Sequence, residues 1–339
     1  MKLTLVTLLL ITLGTFQAEA YQKGMALGLF HKEPNFDYSR DLREIRALGV
    51  DSVSLIVSWF QTDITANEIF SRSEQKPEGS TFPDRQLRRV IRQARELGLN
   101  VFLFPTLRID KRGPKEWRGV LKPKDKAAWL QSYRRFILHY ATLAAEEKVS
   151  LFSVGSELCS MEKEQEYWTN LIAEIRKTFH GKLIYSANWD HYEPVGFWSA
   201  LDYLGLTGYY ELSQTKNPTL PQLVERWKEI QKPLETWQKK HGRKIIFTEI
   251  GYPSLDGTNI YPWDYTRQEP VDSDEQALCY EAFFQAWYNH PTLEGVYFWN
   301  WFGSGGRTDG SYTPRDKPAE AVLRKWYGSS LPTLLGSLR

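Results

Sequence analysis

Two glutamates stand at positions where they could carry out acid–base chemistry together. Glu157 follows the apolar run 151–155, and Glu249 follows the apolar run 245–248. Cleavage of a glycosidic bond needs such a pair, because one carboxyl group protonates the leaving oxygen and the other attacks the anomeric carbon or activates water. A gap of about 5 to 5.5 Å between the carboxyls leads to retention and one of about 6.5 to 9.5 Å to inversion. The sequence does not supply that distance.

Either glutamate alone could simply be an ion-pair partner at a strand end. Whether the two act together depends on the secondary-structure elements that position them. Apolar runs rich in β-forming residues alternate with helix-period segments along the whole chain, which is typical of a parallel sheet wrapped by helices. Eight strands are predicted, at residues 24–30, 52–58, 101–106, 151–155, 183–187, 203–208, 245–248 and 295–299. Eight such units in series favour an α/β fold with a single (β/α)8 TIM barrel over an open sheet.

The segments between the strands have the period of amphipathic helices. Three stripes are clear: Leu87, Val90, Ile91, Ala94 and Leu97; Trp129, Tyr133, Phe136, Ile137, Tyr140 and Ala144; and Trp168, Leu171, Ile172, Ile175 and Phe179. The longest irregular segments, at about 61–83 and 253–271, follow the second and seventh strands. Barrel enzymes build their sites at the C-terminal ends of the strands, so we expect these segments to form walls of a substrate cleft.

The N-terminus has the features of a secretory signal peptide. Lys2 precedes an apolar run over residues 3–13, and small residues end at Ala18-Glu19-Ala20. The run is well short of the ~20 residues that a membrane-spanning helix needs. We therefore expect residues 1–20 to be cleaved, leaving residues 21–339 as one secreted or periplasmic barrel domain without a membrane anchor.

Composition limits the class of partner. The formal net charge is +2, without the basic runs of a nucleic-acid-binding protein. Aromatic residues make up 14% of the chain and include 13 Trp, and their faces suit sugar rings as well as a core. We expect a poly- or oligosaccharide substrate, no nucleic-acid partner, no cofactor, no metal site and a monomer. Cys159 and Cys279 could form a disulfide or remain free thiols.

Several stretches resemble glycoside hydrolase family 113, the β-mannanase-type barrels of clan A. They lie at residues 154–158, 183–189, 202–210, 247–252 and 317–319, in the family's order across most of the chain. The resemblance implies a retaining double displacement with Glu157 as acid/base and Glu249 as nucleophile, most simply on β-1,4-mannan or mannooligosaccharides. Most clan A families have Asn before the acid/base, where it contacts the sugar 2-hydroxyl, whereas this chain has Ser156.

Further substrate-binding residues are predicted at other strand ends. Tyr209 or Tyr210 resembles the clan A tyrosine that hydrogen-bonds the nucleophile, and Trp299 resembles the platform beneath the sugar at the cleavage point. The remaining candidates are Asn188 and Trp189 after the fifth strand, Trp59 after the second and Arg108 after the third. Because the acid must be protonated while the nucleophile is ionised, we expect Arg108 or Tyr209 to favour ionisation of Glu249.

Three alternatives remain open at this stage. The barrel could bind carbohydrate without cleaving it, although such a module has no need for both glutamates. The same chemistry could act on another β-glycan or on an amino-sugar polymer of the cell wall. A metal-dependent hydrolase is disfavoured, because no His, Asp or Glu cluster has ligand spacing along the sequence.

Overall fold

The computed structural model of the protein describes residues 21–31, 33, 35–73 and 79–328. Within them, eight parallel strands close into a barrel in sequence order, with the first strand paired to the eighth. Helices lie between the strands. The prediction of a single (β/α)8 barrel is therefore confirmed. The signal peptide predicted at residues 1–20 lies outside the described residues and stays a prediction.

All eight predicted strands are present, most of them slightly longer than predicted. They are β1 (Gln22–Leu27), β2 (Ser52–Gln61), β3 (Asn100–Ile109), β4 (Leu151–Ser156), β5 (Lys182–Ala187), β6 (Leu204–Thr207), β7 (Ile245–Ile250) and β8 (Leu293–Trp301). The helices are α1 (Ser39–Ala47), α2 (Asp84–Glu96), α3 (Lys126–Glu146), α4 (Gln165–Ile175), α5 (Leu220–His241), α6 (Ser273–Trp287) and α7 (Pro318–Gly328). A 3-10 turn at Trp198–Ala200 connects β5 to β6, where the other units have an α-helix.

Successive side chains of each strand point to opposite faces of the barrel wall and belong to two different apolar clusters. The smaller cluster fills the barrel interior and consists of Ala26, Ile56, Phe102, Phe104, Leu151, Ile184, Tyr203, Ile246 and Tyr297. The larger cluster lies between the strands and the helices and contains the three predicted helical stripes, apart from the half-buried Leu97. Strands that are apolar on both faces are expected where a sheet is covered on both sides. The packed interior leaves only the C-terminal ends of the strands free to hold polar groups.

The two long loops at that end are braced by short backbone pairings. Phe70 in the loop after β2 forms an antiparallel β-bridge with Phe60 of β2. Leu255 and Val271 form a second β-bridge in the loop after β7. Both cysteines, Cys159 and Cys279, are free thiols. Among the helices of the described segments, none has the length and apolar character needed to cross a bilayer.

Candidate active site

The two predicted glutamates both lie at the C-terminal mouth of the barrel and are almost fully buried. Glu157 directly follows β4 with a left-handed backbone (φ 52°), and its N–H donates to the Ser186 carbonyl of β5 at 2.8 Å. Glu249 is the fifth residue of β7, one before the strand ends. Their exposed fractions are 9% and 7%. Burial of two acids near each other is costly unless their surroundings compensate it.

Different groups bind the two carboxyls. Arg118 donates from Nη2 to Glu157 Oε2 at 2.5 Å, and Thr207 Oγ1 lies 3.1 Å from Glu157 Oε1. Tyr209 donates its phenol proton to Glu249 Oε2 at 3.1 Å. Glu157 therefore has a full positive charge beside it, whereas Glu249 has a neutral donor. The two acids thus differ in environment.

Burial and the nearby charge of Glu157 raise the pKa of Glu249 to about 7. Arg118 and the hydrogen bond from Tyr209 act in the opposite direction and lower it, but less strongly. For Arg118, burial alone would lower the pKa, but attraction to Glu157 and Glu249 outweighs burial and raises it. Arg118 therefore stays charged and interacts with both acids.

Of the two candidate tyrosines, only Tyr209 contacts the acid pair. Tyr210 is 8% exposed, donates to the Trp189 carbonyl at 3.1 Å and packs edge-on against Trp227. Its contact with substrate stays a prediction, and it lines a surface pocket together with Trp189. Tyr210 also supports Trp189 from below.

Asn188, Trp189 and Trp299 lie around the mouth as predicted from their strand positions. The Trp189 N–H donates to Asn188 Oδ1 at 3.0 Å, and Asn188 Oδ1 is also 3.5 Å from Thr207 Oγ1, the hydroxyl that reaches Glu157. Trp299, half-buried in β8, packs on the upper end of the barrel interior. These side chains are placed to contact a sugar, and their binding roles remain a prediction.

Trp59 and Arg108 do not meet the expectations for them. β2 continues to Gln61, so Trp59 is not at its end, and its ring packs outward against Phe136 and His139 of α3, with centroids 5.4 Å away in each case. The predicted substrate contact of Trp59 is therefore wrong, because strand alternation sends it to the helix side. Arg108 is exposed and has its guanidinium 5.8 Å from the Phe60 ring centroid.

The predicted effect of Arg108 on Glu249 is also wrong, because the cation beside the acids is Arg118. Although part of the Arg108 side chain is exposed, the protein atoms around its guanidinium and the neighbouring Arg112 lower the pKa of Arg108, and no carboxylate among the described residues forms an ion pair with it. Arg118 lies in a 3-10 turn, Arg118–Val120, between β3 and α3. Such a turn has no strand or helix periodicity, so no sequence pattern identified it.

Sequence reasoning also missed Thr207, Trp263 and a cluster of three potential metal ligands. Thr207 is the last residue of β6, a polar strand-end position of the kind that identified the glutamates. Trp263, 39% exposed in the loop after β7, stacks on Trp189 with ring centroids 6.0 Å apart. Cys159, Glu162 and His191 could together hold a metal ion. Their sequence spacing matches no standard metal motif, because they come from two loops.

Ser156, which stands where most clan A families have Asn, is buried at the end of β4. Its exposed fraction is 3%, and its hydroxyl has no hydrogen-bond partner in the part of the chain that the structure describes. A buried hydroxyl without a partner is unusual. Its short side chain reaches none of the groups that bind Glu157.

The chain is similar to proteins of one glycosidase family in both sequence and structure. The model for Glycoside Hydrolase Family 113 matches residues 26–313. A family 113 β-mannanase from Alicyclobacillus acidocaldarius, solved in complex with ManMIm, is 27% identical, with 91% of this chain and 98% of that chain covered and a TM-score of 0.80. A further family 113 β-1,4-mannanase is 24% identical, with coverage of 91% and 99% and a TM-score of 0.79.

More distant structures share the fold alone. A β-glucuronidase from Ruminococcus gnavus is 13% identical, with a TM-score of 0.59, and 91% of this chain aligns with 50% of that one. No curated protein matches the chain in sequence. The family match extends over most of the barrel and includes both buried glutamates.

Proposed function

Because the chain belongs to glycoside hydrolase family 113, it is a glycosidase, and we propose that it hydrolyses β-1,4-mannan or mannooligosaccharides with retention of configuration. Glu157 is the proposed acid/base and Glu249 the proposed nucleophile. The observation that carries the proposal is the buried pair itself, with Arg118 and Thr207 on one carboxyl and Tyr209 on the other.

In the first step, a carboxylate oxygen of Glu249 attacks the anomeric carbon while Glu157 gives its proton to the leaving oxygen. The glycosidic C–O bond breaks, and a glycosyl ester of Glu249 forms. Arg118 and the hydrogen bond from Tyr209 lower the pKa of Glu249, against the burial and the charge of Glu157 that raise it to about 7, and so favour the carboxylate that this step needs. Buried charges and donors act strongly here, because a site closed to water has a low dielectric constant.

In the second step, Glu157, now ionised, takes a proton from water. The water oxygen attacks the anomeric carbon, the ester bond to Glu249 breaks, and the two acids return to their starting forms. Arg118 donates to Glu157 throughout its charged state and keeps that carboxyl in one orientation. Two inversions at the same carbon give net retention.

Two observations support a mannan-type polymer as substrate. The first is the likeness to the β-mannanase from Alicyclobacillus acidocaldarius. The second is the aromatic surface formed by Trp189 and Trp263 at one side of the mouth, which suits the apolar face of consecutive sugar rings. We also propose that the protein acts outside the cytoplasm after removal of residues 1–20, because these residues have the features of a secretory signal peptide.

The first experiment measures reducing sugar released from β-1,4-mannan and mannooligosaccharides by the protein and by Glu157→Gln and Glu249→Gln. We expect both variants to lose activity by about 10³-fold or more, since a positioned acid or base alone contributes about 10² to 10⁴. Glu166→Gln is the matched control, because Glu166 is an exposed glutamate of α4 and its loss should leave the rate unchanged.

Stereochemistry and azide rescue separate the two roles. Proton NMR of early product should detect the β-anomer first, because retention preserves the configuration of the cleaved bond. Azide should restore turnover of an activated aryl mannoside by Glu157→Ala as the β-azide and by Glu249→Ala as the α-azide. An α-anomer as first product would refute retention. Activity on another β-glycan or on peptidoglycan but not on mannan would refute the proposed substrate and keep the acid pair.

A further inference from the structure

Three side chains outside the acid pair converge on one point at the barrel mouth. Cys159 and Glu162 lie in the turn after β4, and His191 lies in the loop after β5. One ligand atom from each, the thiol sulfur, a carboxylate oxygen and an imidazole nitrogen, lies within 4.8 Å of the other two. Ligand atoms bound to one ion at about 2.0 to 2.3 Å in tetrahedral geometry lie roughly 3.5 Å apart, so these three would move together by up to about 1 Å to share an ion.

Glu162 is the residue that ordinary packing does not explain. Its side chain has 0% exposure, and Oε1 accepts a hydrogen bond from Tyr185 at 2.7 Å. Oε2 accepts no hydrogen bond among the described residues and faces His191 Nε2 at 3.5 Å. A buried carboxylate oxygen without a donor is costly, so a cation at this position would satisfy it.

The donor set selects the kind of metal. We propose that Cys159, Glu162 and His191 bind Zn²⁺. Thiolate, imidazole and carboxylate are the three ligand types that zinc takes in proteins, and three protein ligands leave a fourth position for water. Mg²⁺ and Ca²⁺ prefer oxygen ligands alone, and a sulfur ligand disfavours them. His191 is 38% exposed, which leaves a path for the ion to enter.

A second layer of contacts holds the carboxylate in place. Tyr185 Oη accepts from the Leu158 N–H at 2.9 Å and donates to Glu162, so it orients Glu162 from the backbone next to Glu157. Hydrogen bonds of this kind fix ligand orientation in zinc sites. Zinc would join the turn after β4 to the loop after β5, which begins with the proposed sugar contacts Asn188 and Trp189. A bound ion would therefore crosslink two loops of the cleft.

Equilibrium dialysis of the chelator-stripped, tag-free protein against Zn²⁺ is the direct test. We expect one Zn²⁺ per chain, and Cys159→Ser and His191→Gln should each weaken binding by at least tenfold. Cys279→Ser and His180→Gln are the matched controls, because Cys279 is buried in α6 and His180 is exposed beyond α4. With Co²⁺, the protein should develop a thiolate-to-cobalt charge-transfer band that Cys159→Ser lacks.

Thermal unfolding adds a readout that does not depend on activity. Zn²⁺ should raise the Tm of the protein and of Cys279→Ser but not of Cys159→Ser, because a ligand stabilises only the state that binds it. Melting curves without zinc check that each variant is folded. No stoichiometric Zn²⁺ binding, or equal affinity in Cys159→Ser and the protein, would overturn the proposal. These measurements are independent of the identity of the glycan.

Discussion

At the scale of single residues, the site depends on the different neighbours of two glutamates. Arg118 and Thr207 contact Glu157, whereas the phenol of Tyr209 contacts Glu249. Burial and the charge of Glu157 raise the pKa of Glu249 to about 7. Because the two carboxylates repel each other, the pair titrates as a unit and the form with one proton is the active one.

Activity should therefore fall as the pH rises through about 7, where the pair loses its last proton, and again in acid, where it gains a second. Tyr209→Phe removes a hydrogen bond that lowers the pKa of Glu249, so the alkaline limb should move to higher pH by about one pH unit. The measurement is kcat/KM against pH for both proteins. A profile that stays flat from mildly acidic to neutral pH would contradict the assignment.

Glu249 should also make folding stability depend on pH. Its pKa is about 7 in the folded protein against an ordinary value of 4.5, so between these values the folded state keeps a proton that the unfolded state releases. Its contribution to stability is present below pH 4.5 and is lost as the pH rises through about 7. Glu249→Gln should thus raise the free energy of unfolding at pH 8, because it removes a buried carboxylate that the folded state holds at a cost.

Urea unfolding at pH 8 and at pH 4.5 measures this effect. The gain should shrink toward zero at pH 4.5, where the acid is protonated in the folded state and about half protonated in the unfolded state. The exposed control Glu166→Gln should change little at either pH. An equal gain at both pH values would mean that Gln improves packing and that titration is not the cause.

At the scale of elements, the loop after β7 forms one wall of the cleft and is held in place by α6. Glu275, in the first turn of α6, accepts the N–H groups of Gly257 at 2.8 Å and Asn259 at 3.0 Å. The bridge between Leu255 and Val271 closes the base of the loop. These contacts hold Trp263 where it stacks on Trp189 of the loop after β5.

Trp263→Ala should raise KM for long mannooligosaccharides by about tenfold, corresponding to about 1.4 kcal/mol of lost contact. The value of kcat should change little, because Trp263 is connected to Glu157 through the intervening residues Trp189, Asn188 and Thr207. Initial rates on a series of increasing chain length make the comparison. Gln268→Ala, at an exposed position in the same loop, is the control. An unchanged KM across the series would exclude Trp263 from the binding surface.

At the scale of the whole molecule, the barrel brings distant segments to one mouth. β4 and β7 are three strands apart in the ring, and the sheet closes only when β1 pairs with β8. Tyr21, the first residue after the predicted cleavage point, packs on the barrel. Tyr21 packs edge-on against Tyr288 at 5.3 Å, and β1 begins at Gln22.

Cleavage after Ala20 would therefore leave the barrel intact, and N-terminal sequencing of the exported protein should begin at Tyr21. A variant lacking Tyr21 and Gln22 should have a lower Tm, because it loses the Tyr288 contact and the first residue of β1. The measurement uses protein recovered from the periplasm or the medium of the producing cell. Recovery with residues 1–20 still attached would contradict the predicted signal peptide.

The sequence by itself determined the eight strands, the amphipathic helices and the two strand-end glutamates. These features depend on patterns within a few residues, apolar runs for buried strands and a 3.6-residue period for helices, and such patterns are visible without the fold. The family resemblance added the roles expected of Glu157 and Glu249. Strand ends were less certain, and the error of a few residues at β2 led to the wrong prediction for Trp59.

Only the tertiary structure decided which side chains meet. Side chains alternate between the two faces of a strand, so a shift of one position separates an inward residue from an outward one, as with Trp59. Arg118 reaches Glu157 from a loop without periodicity, and it replaced Arg108 as the cation beside the acids. The cluster of Cys159, Glu162 and His191 exists because closure of the barrel sets two loops side by side, a long-range effect that local patterns do not encode.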